Sequence, residues 1–237
     1  MTITYPIDFP TDVGLTDAVL RIRTSNARSQ SPFTLSEQIY SWAGQRWEIE
    51  AQLPRMKRAE AEIYHCFLAK LKGRQGTFTM YVPSGKSPRG VYEQTSTDNL
   101  LTEAGDHLLT ESNDNIVIEF GSSIVVKGGS QTGNTLVVDG FGANQTNVLR
   151  CGDFFQLGTG SNTRLYKILN DVNSDAAGSA TLDIFPNLRS SPDDNEALIL
   201  DNPKGLFRLA TNEVDMPSDF INTFTVSFTA VEAIDGT

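Results

Sequence analysis

Trp47-Glu48-Ile49-Glu50-Ala51-Gln52-Leu53-Pro54 is the stretch on which the reading of this 237-residue chain turns. Trp47, Ile49, Ala51 and Leu53 alternate with Glu48, Glu50 and Gln52. A strand sends successive side chains to opposite faces, so this period of two predicts a strand with one apolar face turned inward. Pro54 ends it, because proline cannot donate to a ladder. On the N-terminal side, Phe33-Thr34-Leu35 through Ile39-Tyr40 reads as the partner strand. Ala43-Gly44-Gln45 reads as the turn of the hairpin, with Trp42 at its tip. Further upstream, Val19-Leu20-Arg21-Ile22-Arg23 reads as another strand and Arg28 to Ser31 as a loop.

Past Pro54 the period changes. From Lys57 to Lys72, Ile63, Phe67 and Leu71 stand four apart with Tyr64 and Leu68 beside them. This spacing predicts one apolar stripe along a helix over 57–72. Lys57, Arg58, Glu60, Glu62 and Lys70 fall largely on its other faces, and Gly73 supplies a left-handed C-terminal cap. Thr77-Phe78-Thr79-Met80-Tyr81-Val82 follows as a strand, stopped by the run Pro83 to Gly90.

Between about Gly90 and Asp201 the texture differs. Leu100-Leu101-Thr102-Glu103 and Leu108-Leu109-Thr110-Glu111 form a short imperfect repeat. Strand-like runs then recur at Ile116–Phe120, Ile124–Lys127, Thr135–Asp139, Phe154–Leu157, Leu165–Leu169, Ala180–Ile184 and Ala197–Leu200. Gly-, Asn- and Ser-rich turns separate them, the pattern of a small barrel or sandwich. Leu206–Leu209 and the stretch Phe220 to Ala233 close the chain. In the latter, Phe224, Val226, Phe228 and Ala230 alternate with Thr225, Ser227 and Thr229.

The last strand needs a partner sheet, and the strands around Trp47 and Phe78 are the candidates. The expected fold is therefore all-β. Residues 1–87 and 206–237 would form a discontinuous β-sandwich with one packed helix, completed by the C-terminal strand. Residues 88–205 would be a second small β domain, a barrel or sandwich, inserted at the Pro- and Gly-bearing loop of Pro83 to Gly90. A single continuous sandwich is the competing reading.

Composition narrows the function. Nineteen basic residues against 29 acidic ones leave a formal net charge of -10. Displacing counterions from phosphates needs a concentrated basic surface, so nucleic-acid binding is not expected. Docking on anionic lipid is disfavoured for the same reason, and no window reaches the length of a membrane span. The N-terminus lacks the basic start and apolar run of a signal peptide, which implies synthesis in the cytoplasm. Cys66 and Cys151 form no paired motif and are read as two buried free thiols.

No catalytic constellation stands out. His65 and His107 are the only histidines. Glu62 lies three residues from His65, but two ligands do not make a zinc site, and a surface or helix-edge histidine is the simpler reading. His107, with Glu103, Asp106 and Glu111 nearby, reads as a solvated turn. Asp171, Asn173 and Asp175 alternate as calcium ligands would, yet the loop lacks the central glycine and distal glutamate of an EF-hand. Turn formation explains that segment and Asp193-Asp194-Asn195-Glu196. The runs Gly158 to Asn162 and Gly128 to Gly133 lack a phosphate-loop lysine and read as hairpin turns. Nothing singles out a carboxylate pair for glycoside hydrolysis. No catalytic residue, cofactor or metal is assigned. Trp47 has core parity, and Tyr81 and Tyr92 flank the Pro-Ser-Gly segment. Trp42 is the one candidate for stacking on a sugar or a neighbouring subunit, with plugging the end of the sandwich as the structural alternative.

Several segments together carry a family resemblance: Leu53-Pro54-Arg55-Met56, Ala59-Glu60-Ala61-Glu62, Phe67 to Phe78 with its Lys72-Gly73-Arg74 turn, and Pro83-Ser84-Gly85-Lys86-Ser87-Pro88-Arg89-Gly90. Gly152 to Gly158, Arg164-Leu165-Tyr166-Lys167, Asp175-Ala176-Ala177-Gly178, Phe185-Pro186-Asn187-Leu188-Arg189 and the ending Phe224 to Ala233 fit the same group. With these the chain resembles the distal tail proteins of siphophages or a related tail-tip protein. The resemblance implies a virion structural protein at the tail tip, not an enzyme. It implies a β-sandwich that assembles with copies of itself into a ring, commonly a hexamer, and a second β domain facing outward. The implied partners are the tail tube protein and the hub with its adsorption proteins. The alternative function is a carbohydrate-binding tail-tip module that contacts host glycans. An enzyme acting on wall or capsule polymer ranks third.

Overall fold

A computed structural model describes residues 3–91, 96–99, 117–120, 123–215, 217 and 223–234. The Leu-Leu-Thr-Glu repeat, His107, Tyr92 and the start of the Phe220 stretch lie outside the described residues. The architecture is all-β with one α-helix among the described residues, as the sequence predicts.

The larger sheet has six strands: β1 (Ile7–Asp8), β2 (Asp17–Gln30), β3 (Glu37–Gln52), β5 (Thr77–Tyr81), β13 (Lys204–Leu209) and β15 (Ser227–Glu232). Their order across the sheet is β1-β5-β13-β15-β3-β2. β1 runs parallel to β5, and the other pairs are antiparallel. β3 carries the diagnostic alternation. Trp47, Ile49, Ala51 and Leu53 are buried at 1%, 1%, 0% and 1% exposure, and Glu50 and Gln52 are exposed.

The hairpin differs from the expectation. The partner of β3 is β2, in a register running from Asp17 opposite Gln52 to Gln30 opposite Glu37. The turn is at Ser31 to Ser36, closed by Ser31 N–H donating to Ser36 O at 2.9 Å. Ala43-Gly44-Gln45 continues the strand, and Arg28 to Gln30 is strand too. Gly44 has a different reason to be there. It faces the irregularity between Thr24 and Asn26, where a Cβ on Gly44 would come 3.0 Å from Ser25 Cβ. A glycine inside a strand marks close approach as readily as a turn.

β4 (Met56–Lys57) leads into α1 (Arg58–Leu71). Glu60 reaches back to accept the Lys57 N–H at 3.2 Å, satisfying one free donor at the helix start. At the other end Lys72, at φ 52, and Gly73, at φ 68, turn the chain through two left-handed residues. The buried stripe is Ala61, Tyr64, His65, Phe67, Leu68 and Leu71. Ile63 is 43% exposed, so the stripe lies one position round from the predicted one. His65 is buried, not at the surface, with its ring edge-on to Phe224 at 6.0 Å. Cys66 and Cys151 are exposed, contrary to the expected burial. Cys66 follows the buried pair Tyr64 and His65 and so turns away from the core.

α1 and the N-terminal segment cover the inner face of the sheet. Phe67 packs against Phe78 at 5.4 Å and against Phe9 at 5.5 Å, and Phe9 meets Phe228 at 5.7 Å. Each such side chain contributes roughly 1.5–3 kcal/mol by leaving water. The C-terminal alternation is split. β14 (Thr223–Phe224) pairs with β4, and Leu53 donates to Val226 O at 2.9 Å before β15 begins. Ser227 and Thr229 are exposed on the outer face of the sheet.

The second sheet contains β8 (Val125–Val126), β9 (Thr135–Asp139), β10 (Phe154–Leu157), β11 (Arg164–Ile168) and β12 (Ala180–Phe185), in the order β10-β11-β12-β9-β8. Its two edges are joined. Val125 bridges Ala197 and Gln156 bridges Ile199, so one segment touches both edge strands and closes a small barrel. β6 (Ser96–Asn99) pairs with β7 (Val117–Phe120) in a separate ribbon.

Buried side chains fall into two clusters. One gathers Phe9 to Val82 with Phe207 to Ala230, and it also includes Phe154, Leu165 and Phe185. The other runs from Ile124 to Leu200 and fills the barrel.

Candidate assembly arm and its root

β15 pairs with β3 only as far as Glu48. Beyond that point β3 pairs with β2 alone, and the two strands leave the sheet as an arm ending at the Ser31 to Ser36 turn. Its apolar side chains are bare: Ile22, Phe33, Leu35, Ile39, Tyr40 and Trp42 are 55–93% exposed. Alternation puts Tyr40 and Trp42 on one face of the arm, and Ala27 lies opposite Tyr40. Trp42 is thus in mid-strand and exposed. It is neither at the hairpin tip nor plugging the sandwich. An isolated two-stranded ribbon is marginal in water, and exposed aromatic patches of this kind mark interaction surfaces.

Charges trim the arm and its base. Arg28 pairs with Glu37 near the turn. At the base, Glu48 holds Arg46 at 2.7 Å and Arg23 at 3.0 Å, and Arg21 meets Glu50 at 2.7 Å. The hydrogen bond from Arg46, helped by Arg23, keeps the Glu48 carboxyl below the usual carboxylate range. Exposed pairs like these add little stability, so they orient side chains more than they hold the fold.

The root of the arm is held quite differently. Arg189 donates through Nη2 to Glu232 Oε2 at 2.7 Å and through Nε to Glu232 Oε1 at 3.1 Å. Both side chains are buried, at 9% and 4% exposure. Glu232 also accepts the Trp47 N–H at 3.0 Å. Arg189 donates a further bond to the Gln45 carbonyl at 2.5 Å, and the Gln45 side chain accepts the Asn187 N–H at 2.9 Å. The Arg189 N–H donates to Tyr166 Oη at 3.2 Å. Desolvation raises the Tyr166 pKa above its ordinary value. Trp47 completes the contact: its indole N–H donates to Leu165 O at 3.0 Å, and its ring stands edge-on to Phe185 at 4.9 Å.

The other candidate residues do structural work. Glu62 pairs with Arg58, one turn away along α1. Asp171 accepts the Cys151 N–H, and Asn173 accepts that of Asn147. Asp175 accepts the N–H groups of Ala177 and Ser179, bonds that lower its pKa. These residues tie turns together. Among the described residues no group of three or more His, Cys, Asp and Glu side chains is placed to hold a metal ion. Tyr81 carries the Lys86 ammonium 5.1 Å from its ring centroid.

Residues 119–202 match the family described as distal tail protein pb9, B domain. This segment, labelled the B domain, is similar to that family. The match supports the siphophage distal tail resemblance drawn from the sequence, and with it a structural role in the phage tail. No curated protein matches the chain. The B domain contains the barrel, and it supplies Leu165, Tyr166, Phe185, Asn187 and Arg189 to the root of the arm. Sequence reasoning missed this junction. One signal was available: Glu232 continues the inward positions Phe228 and Ala230 of β15, and a carboxylate at an inward position calls for a buried partner.

Proposed function

We propose that this chain is the ring-forming subunit at the distal end of a siphophage tail, joining the tail tube to the hub and adsorption apparatus. Residues 1–87 and 206–237 form the ring domain, and residues 88–205 form the inserted, outward-facing domain. The ring is a homo-oligomer, and the resemblance favours six copies. The observation that carries this reading is the arm of β2 and β3. It leaves the sheet with Tyr40 and Trp42 on one uncovered face, and a neighbouring copy is the surface that would bury it. Contacts of this head-to-tail kind close into rings when the rotation between copies permits.

Mass photometry of the purified chain tests the reading. A ring is expected for the wild type, and Tyr40→Ala/Trp42→Ala is expected to lose it while keeping its fold. A monomer under all conditions, including beside tail tube and hub proteins, would overturn it. The second reading, a host-glycan contact, is favoured by the same exposed Trp42, whose ring suits stacking on a sugar. A glycan array on which wild type and Trp42→Ala behave alike removes it.

A further inference from the structure

The arm meets the B domain at its root, through Trp47 and Gln45. β3 is held on both sides as far as Glu48, where β15 ends its pairing, and from there toward the tip only β2 accompanies it. A two-stranded ribbon leaving a sheet has no fixed direction of its own. Here the opposed irregularity between Thr24 and Asn26 adds a natural bend. Gln45 sits at that bend, and both its oxygens are taken by B-domain residues. Its carbonyl accepts from Arg189 and its side-chain oxygen from Asn187. Arg189 is fixed in turn by two bonds to the buried carboxylate of Glu232, and Glu232 is the end of β15 in the main sheet. Trp47, two residues along β3, is pinned to the B domain through Leu165 O and Phe185.

We infer that the B domain aims the arm: Arg189, anchored on Glu232 of the main sheet, clamps Gln45 and so fixes the direction in which the arm leaves the sheet. Two features make this a coupling and not ordinary packing. Two bonds converge on Gln45, three residues past Glu48, where β3 has only β2 beside it. One of them comes from the Arg189 of a buried ion pair, whose geometry is costly to distort because separation would leave a charge desolvated. Loss of this clamp therefore frees the arm at Gln45.

The test reads the geometry within one chain, so its result is independent of whether rings form. Spin labels are placed at Ser29→Cys on the arm and Thr132→Cys on the B domain, with Cys66→Ser and Cys151→Ser. Labelled chains are diluted into unlabelled ones, and electron–electron distances are measured. Wild type is expected to give one narrow distribution. Arg189→Met/Glu232→Met replaces the buried pair with apolar groups of similar size and removes the bond to Gln45. Its distribution should broaden about twofold, as for a released hinge. Gln45→Ala removes only the Asn187 contact, introduces no buried charge, and should broaden it less. Distributions as narrow as wild type in both folded variants would overturn the inference.

Discussion

Glu232 and Arg189 form a buried ion pair. Both are almost fully buried, and between them they engage Trp47, Gln45 and Tyr166. Removing one partner leaves the other as an uncompensated buried charge. Arg189→Ala is expected to cost about 3–5 kcal/mol in denaturant unfolding, whereas exposed Arg21→Ala, whose partner Glu50 is solvated, should cost under about 1 kcal/mol. Equal costs would show that the pair is solvated. At Gly178 the backbone sits at φ +76, and a Cβ would come 2.2 Å from Phe141 O. Gly178→Ala should destabilise the barrel by about 1–2 kcal/mol from the left-handed backbone alone, with the clash adding to it. Thermal melting checks this.

At the scale of elements, what could be read from the sequence depended on whether a local pattern had one physical cause or two. The alternation from Trp47 to Leu53 has one cause, a half-buried strand, and it held residue by residue. The helix was legible to within a residue at each end, since its period and its start and stop chemistry agree. Its burial was not, because Ile63 and His65 sit at opposite margins of the stripe and only the overlying Phe224 decides between them. The hairpin was misplaced because Gly44 signals a turn and a close backbone approach equally well, and the bulge opposite it is invisible in sequence. His65 gives a test here. Its Nε2 is buried without a hydrogen-bond partner, so His65→Leu removes an unsatisfied polar atom while filling the same space. The variant should be as stable as wild type or more so by about 1 kcal/mol, measured by urea unfolding at neutral pH. A loss of several kcal/mol would mean that the imidazole makes an essential bond.

At the scale of the whole molecule, the all-β class and the second β unit were legible from turn spacing and from the change of texture near Gly90. The closure of the barrel was foreshadowed by Ala197 to Leu200, read as strand-like and found bridging both edges. The junction between the two cores was not legible. It depends on which barrel residues face outward onto Trp47, and that parity is set by a closed sheet that no local window reveals. The barrel's own cluster, from Ile124 to Leu200, draws on none of the main sheet. A fragment spanning residues 119–202 is therefore expected to fold with a cooperative melt by circular dichroism. Its melting temperature should rise when Phe154 and Phe185, which face the main core in the intact chain, are replaced by polar residues. A fragment without a cooperative transition would show that the main sheet is needed to complete the barrel.

Phe154, Leu165 and Phe185 belong to the barrel by chain and to the main sheet by packing. Any exchange of this module for another would have to bring an equivalent aromatic plate and a carbonyl to receive the Trp47 indole. Modules lacking them would leave the tryptophan facing solvent at the very point where the arm departs. The two halves are thus bound to change together: a graft that ignores the shared plate unseats the arm before it alters anything the outer module touches.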